Sequence, residues 1–181
     1  MTNWPAVWVI FAGGLAAGSY MTKVPPALPS LRVDLGLTLI ESGWVQTMLY
    51  TIGAVAGVFF GAIADRFGPK RIALSGLVLM VAGGLLGAAA PGYLALLASR
   101  FLEGVGFMLF VVAAAPLIAA AAVPADRATA FSLWSSYMPT GGTLALVLAP
   151  IALAGFGWRG LWILLAAYAA ACAVLLVRLV P

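Results

Sequence analysis

The sequence predicts an all-α integral membrane protein with six transmembrane helices, and three observations carry that expectation. Of the 181 residues, 65% are hydrophobic and 8% charged, where a soluble domain holds roughly 45–50% apolar and about 25% charged residues. Nine Lys and Arg with five Asp and Glu cannot cover a water-facing surface, and a mean hydropathy of +1.15 requires a lipid solvent. The apolar residues also fall into stretches near the roughly 20 residues that cross about 30 Å of hydrocarbon. Short runs of Pro, Gly and charge divide them.

Taken in order, span one covers Trp4 to Leu28 and is closed by Pro25, Pro26 and Pro29. Residues 1–10 contain no Lys or Arg, so the basic start of a cleaved signal peptide is missing and the span is expected to be retained. Span two, Gly43 to Ala64, stops at the charged run Asp65 to Arg71, and span three, Ile72 to Ala90, stops at Pro91-Gly92. Span four runs from Tyr93 to Ile118, ahead of the break Pro124 to Arg127. Span five, Ala128 to Ala154, carries Pro139-Thr140-Gly141-Gly142, which predicts a kink. Span six, Gly160 to Val180, follows Gly155 to Arg159, where Trp158 and Arg159 suit a membrane interface. The six spans form one bundle over residues 1–181.

Arg66, Lys70, Arg71, Arg127 and Arg178 fall on one side of these spans and Lys23, Arg32 and Arg159 on the other. The densest group lies in a very short loop, so the positive-inside rule puts both termini in the cytoplasm. The expected location is a plasma membrane, the inner one in a bacterium, and the net charge of +4 favours anionic headgroups. No basic patch on a soluble face exists for nucleic acid. With no His and one Cys, Cys172, the chain lacks the parts for an imidazole dyad, a His-ligated metal or an internal disulfide. No metal, cofactor or enzymatic activity is expected: a six-span rhomboid-like protease would need a His. A voltage sensor would need an Arg ladder along one span, which is also missing.

Two motifs remain. After span two comes Gly61-Ala62-Ile63-Ala64-Asp65-Arg66-Phe67-Gly68-Pro69-Lys70-Arg71. Gly68 permits a tight turn, Asp65 stands where the span leaves the membrane, and Arg66, Lys70 and Arg71 suit headgroups or a neighbouring helix end. The plainer reading is a loop that only sets topology. Gly53, Gly57 and Gly61, spaced by four, leave one face of span two nearly bare for close helix packing. In span four, Arg100-Phe101-Leu102-Glu103-Gly104-Val105-Gly106 places a guanidinium about eight residues, or roughly 12 Å, down the helix. Charges at such depth face a bundle interior or a watery path, and Glu103 shares the face of Arg100. The two either mark a pathway or simply neutralise each other.

Ser19, Tyr20 and Lys23 share one face at the end of span one. Lys23 either snorkels to the outer headgroups or converges with Arg100 on an anionic ligand. Trp134, Ser135 and Tyr137, ahead of the span-five kink, line a substrate path or make ordinary helix contacts.

The run from Gly61 to Arg71 resembles the loop signature of the major facilitator superfamily, with Pro69 in place of a basic residue. Arg100 to Gly106 resembles that family's fourth-helix motif, with Glu103 in the place of a Gln, and Gly157-Trp158-Arg159 is a third, weaker likeness. Span five does not reproduce the family's antiporter signature, because Met138 stands where its leading Gly would be and the spacing is one residue short. The resemblance implies two inverted three-helix repeats forming one half of the usual two-bundle architecture, with the substrate site between the bundles. The chain is then a piece of a longer protein, one half of a split pair, or a half that pairs with its own copy. It implies a secondary transporter moving a small solute by alternating access, and the convergence of Lys23 with Arg100 would favour an anionic one. Arg100 and Lys23 would bind the solute, Glu103 would carry a proton, and Tyr20, Trp134 and Tyr137 would line the path. The alternative is a non-transporting membrane assembly or regulatory module with the same fold.

Overall fold

The computed structural model describes residues 1–180; the side chains of residues 54–65 lie outside the described set. The elements are α1 (Trp4–Thr22), α2 (Val24–Leu35), α3 (Leu39–Phe67), α4 (Pro69–Ala88), α5 (Tyr93–Ala121), a 3-10 turn (Pro124–Asp126), α6 (Arg127–Ser135) and α7 (Tyr137–Leu179). Among the described residues, four helical stretches are long and apolar enough to cross a membrane: Trp4–Thr22, Pro69–Ala88, Tyr93–Ala121 and Pro124–Leu179. The last has 56 residues, roughly 84 Å if it ran straight. It is divided at Ser136 and again at Gly157, whose φ of 66° and ψ of −177° break the helical path inside α7.

Helix ends follow local chemistry, and in places they differ from the sequence expectation. Pro25, Pro26 and Pro29 do not close the first span. The chain breaks at Lys23, and Pro25 and Pro26 stand in the first turn of α2, where a missing N–H goes unnoticed and φ is already helical. Helix α2 then stops at Gly36, whose φ of 64° gives a left-handed cap. Thr38 and Glu41 open α3 with a capping box: Thr38 N donates to Glu41 Oε2 at 2.8 Å and Glu41 N donates to Thr38 Oγ1 at 3.2 Å. Gly68, with φ of 86°, joins α3 to α4, and Pro69 starts α4. The span-five break comes at Ser136, and Pro139 sits in the first turn of α7 instead of at the kink, again because that turn needs no N–H. Asp126 precedes α6 but makes no side-chain cap of it; its carboxylate accepts from Thr2 Oγ1 at 2.5 Å.

Small residues let the helices close on one another. A Cβ at Gly76 of α4 would lie 2.6 Å from the Gly106 carbonyl oxygen of α5, and one at Gly106 would lie 2.6 Å from that of Gly76. Along α1 and α7, a Cβ at Gly141 would lie 2.5 Å from the Leu15 carbonyl oxygen, and Ser19 Oγ donates to Gly141 O at 3.1 Å. Two apolar clusters result. One joins Ala6, Ile10, Leu77, Met80, Phe110 and Leu176, and the other joins Val24, Leu31, Val45, Leu96, Trp158 and Trp162. At one end of the bundle Asn3 N donates to Ala121 O at 2.9 Å, and Lys70 Nζ donates to Val177 O at 3.3 Å near the end of α7. At the opposite end Asp34 of α2 meets Trp158 and Arg159 of α7.

Candidate functional site

Where the two apolar clusters meet, three charged side chains are fully buried: Lys23, Arg100 and Glu103 each have 0% exposure. Lys23 comes from the joint between α1 and α2, and the other two come from successive turns of α5. Lys23 Nζ donates to Glu103 Oε1 at 2.6 Å, and Arg100 Nη1 donates to Glu103 Oε2. Lys23 and Arg100 therefore share one carboxylate, each holding one of its oxygens, and with all three groups ionised the cluster carries one net positive charge.

Backbone carbonyls hold the guanidinium. Arg100 Nη1 donates to Tyr20 O at 3.1 Å and Nε donates to Val45 O at 3.2 Å. The Tyr20 carbonyl lies in the last turn of α1, among the oxygens that a helix end leaves without intrahelical partners, while the Val45 carbonyl offers a second lone pair. Arg100 Nη2, Tyr20 Oη and Trp162 Nε1 are buried with no hydrogen-bond partner among the described residues. The Lys23 ammonium lies 4.1 Å from the centroid of the Tyr20 ring and 4.3 Å from that of Trp162.

Glycines of α4 make the room. A Cβ at Gly83 would stand 2.7 Å from Glu103 Cγ, one at Gly84 2.7 Å from Tyr20 Oη, and one at Gly87 2.6 Å from Trp162 Nε1. The sequence reading missed Trp162 and these glycines. Part of their signal was present: Gly83 and Gly87 are four apart and continue the face of Gly76 seven residues earlier, whereas Gly84 follows no such spacing.

Tyr20, Lys23, Arg100 and Glu103 are thus brought together. Lys23 does not snorkel to headgroups, because Glu103 and two ring faces receive its ammonium inside the bundle. Trp134 and Tyr137 belong to a different neighbourhood. Their rings stack at 4.2 Å, Phe110 lies 6.3 Å from Trp134, and both press on α1 where Gly14 has no side chain. In the loop motif, Arg66 and Arg71 are exposed, the Arg66 guanidinium lies 5.6 Å from the Phe67 ring, and Lys70 grips a carbonyl at the end of α7. That contact suits a cation at a helix C-terminus. The side chains of Asp65, and any packing at Gly57 and Gly61, lie outside the described residues. Gly53 faces Met108 of α5, whose Sδ would be 3.2 Å from an added Cβ.

A helical bundle with membrane-length apolar helices and a buried cluster of ionisable side chains defines a polytopic integral membrane protein with a polar core. The chain belongs to the Major Facilitator Superfamily, whose family model matches residues 9–181. It is 29% identical over 157 residues to the methylenomycin A resistance protein of Bacillus subtilis (strain 168), covering 86% of this chain and 34% of that protein. It is 30% identical over 147 residues to a protein named "Probable 4-methylmuconolactone transporter" from Cupriavidus pinatubonensis, covering 81% and 34% respectively. The chain thus spans about a third of the length of these relatives. A crystal structure of the peptide transporter POT, an E310Q mutant in complex with alafosfalin, has the same fold, with a TM-score of 0.83 and 20% identity over 95% of this chain and 37% of that one.

Proposed function

We propose that the chain is one six-helix bundle of a secondary active transporter, built of two inverted three-helix repeats, that moves a small anionic solute by alternating access. A second six-helix bundle, from the same or another chain, forms the opposite wall. The observation that supports this best is the buried pairing of two cations with one carboxylate. A proton taken by Glu103 neutralises its carboxylate and releases Arg100 Nη1, so the cluster can receive one anion with one proton. That exchange is the chemistry of a symporter, and Arg100 is the residue with a guanidinium nitrogen to spare. Tyr20 lines the same place; Trp134 and Tyr137 act on the path through α1, against which they pack. Thr140 and Thr143 are exposed on α7, where a hydroxyl facing hydrocarbon without a partner is unfavourable, which supports a watery path or a second bundle at that face. Gly68 and Lys70, with Arg66 and Arg71, set the α3–α4 turn as a gating loop on the cytoplasmic side, which also holds both termini in a bacterial inner membrane.

The test is uptake of small radiolabelled carboxylates by lipid vesicles containing the complete transporter, with and without an inward proton gradient. Arg100→Gln leaves Lys23 and Glu103 as a balanced pair, so it should insert and fold while losing at least about tenfold in uptake, the effect of about 1.4 kcal/mol in binding. Undiminished uptake by well-folded Arg100→Gln removes Arg100 from the solute path. Unchanged proton dependence in Glu103→Gln removes Glu103 from coupling.

A further inference from the structure

The surroundings of the Lys23 ammonium are of a specific chemical kind. Two aromatic faces stand 4.1 and 4.3 Å from Nζ, inside the roughly 6 Å range of a cation–π contact, and a carboxylate oxygen takes a hydrogen bond at 2.6 Å. Water has no access to the side chain, which has 0% exposure. Aromatic faces that accept charge without directed bonds, with one carboxylate that fixes direction, are the recognition elements of an ammonium cage. The walls are set independently of the lysine. Gly84 and Gly87 leave room for Tyr20 and Trp162, Trp158 braces Trp162 edge to face at 5.6 Å and 87°, and Arg100 holds the far oxygen of Glu103. The resident comes in on a flexible four-carbon stem from the joint between two helices.

We propose that Tyr20, Trp162 and Glu103 form a primary-ammonium site in which the Lys23 side chain is a tethered ligand and Trp162 the positioning residue. The inference stands whether or not the chain moves an anion. Within the transport reading it assigns Lys23 to the cage and leaves Arg100 as the cation available to a solute.

The experiment is chemical replacement of the tether. Full-length Lys23→Ala is unfolded by heat in mild detergent, with methylammonium chloride or sodium chloride at equal ionic strength. Methylammonium should raise the unfolding temperature of Lys23→Ala in a saturable way and leave the wild type unmoved. Adding Trp162→Leu should abolish the response. In the wild-type background Trp162→Phe, which keeps an aromatic face, should unfold near the wild-type temperature, and Trp162→Leu about 5 °C lower. In a Lys23→Met background the two should coincide. A folded Lys23→Ala that ignores methylammonium overturns the site. If Lys23→Ala does not fold, the Phe and Leu variants decide alone, and equal unfolding temperatures for them overturn it.

Discussion

Two ion clusters in this bundle use the same parts in opposite surroundings. Lys23, Arg100 and Glu103 have 0% exposure and sit beside Trp162. Asp34 and Arg159, 46% exposed and 3.3 Å apart, sit beside Trp158, whose Nε1 donates to Asp34 Oδ2 at 2.8 Å. Arg159 lies 4.2 Å from the Trp158 ring, much as Lys23 lies over Trp162. The chemistry is nearly shared; the solvent is not. At the bundle end, water can replace any partner that is lost, so the pairing adds little. In the interior nothing can, so each charge depends on its partner. The two tryptophans are one turn apart on α7, and a single helix therefore faces both regimes.

The sharpest break between the clusters is expected on removing the carboxylate. Glu103→Gln leaves two buried cations side by side and should destabilise by roughly 3–5 kcal/mol, read as denaturant unfolding in mild detergent. Glu103→Gln with Lys23→Met restores one net charge and should recover a large part of the loss. A cost for Glu103→Gln no larger than that for Asp34→Asn ends the distinction between the clusters.

Helix spacing sharpens the same contrast. Gly83→Ala puts a methyl 2.7 Å from Glu103 Cγ and 2.9 Å from the Ser99 carbonyl oxygen, so α4 must move from α5. About 1–3 kcal/mol of destabilisation is expected. Gly92→Ala, at the bundle end, meets nothing within 4 Å and should stay within about 0.5 kcal/mol. Thermal unfolding of the two variants under one condition compares them, and equal effects mean that the cluster tolerates expansion.

A smaller effect separates the clusters by salt. Asp34→Asn should cost about 0–1 kcal/mol, because Asp34 and Arg159 are near half exposed. That cost should shrink between low and about 0.5 M salt as the charges are screened. The cost of Glu103→Gln should not. Unfolding midpoints at two ionic strengths give the answer, and a salt-sensitive Glu103 would mean that water reaches the interior cluster.

How much of this was legible beforehand follows from sequence distance. Arg100 and Glu103 share a helix face at i and i+3, so their meeting was written in the spacing. Gly68 and Lys70 lie close in sequence, so the tight turn at Gly68 and a contact of Lys70 with a neighbouring helix end were readable there too. The pairing of Glu103 with Lys23, and the contact of Lys23 with Trp162, depend on how α1, α5 and α7 pack, which no local pattern encodes. The prolines misled for a physical reason. Pro25-Pro26 and Pro139 read as breaks, but the first turn of a helix has no use for an N–H, so the same residues start α2 and sit near the start of α7. Trp134 and Tyr137 read as either path or helix contacts, because aromatic residues near a kink suit a cavity as well as a core. The absence of a side chain at Gly14 seats them against α1.

The smallest expected effect lies at the start of α3, at the end of the bundle that also holds Asp34. Glu41 there holds its carboxylate below the ordinary range because the Thr38 backbone N–H, and then the Thr38 hydroxyl, donate to it. A group whose folded pKa is depressed contributes stability that is fully present above its unfolded value and is lost as pH falls through the folded one. The capping box should therefore be intact at neutral pH and release only below the ordinary Glu range, near 4.3. Hydrogen exchange at the first amides of α3 as a function of pH reads this directly, with protection falling as Glu41 takes up a proton. Glu41→Gln keeps an oxygen to accept from the Thr38 N–H but has no proton to gain, so its protection should be flat over the same window. If wild type and Glu41→Gln show the same pH profile, the capping carboxylate does not set this helix start. The weak end of the comparison would then rest on Asp34 alone.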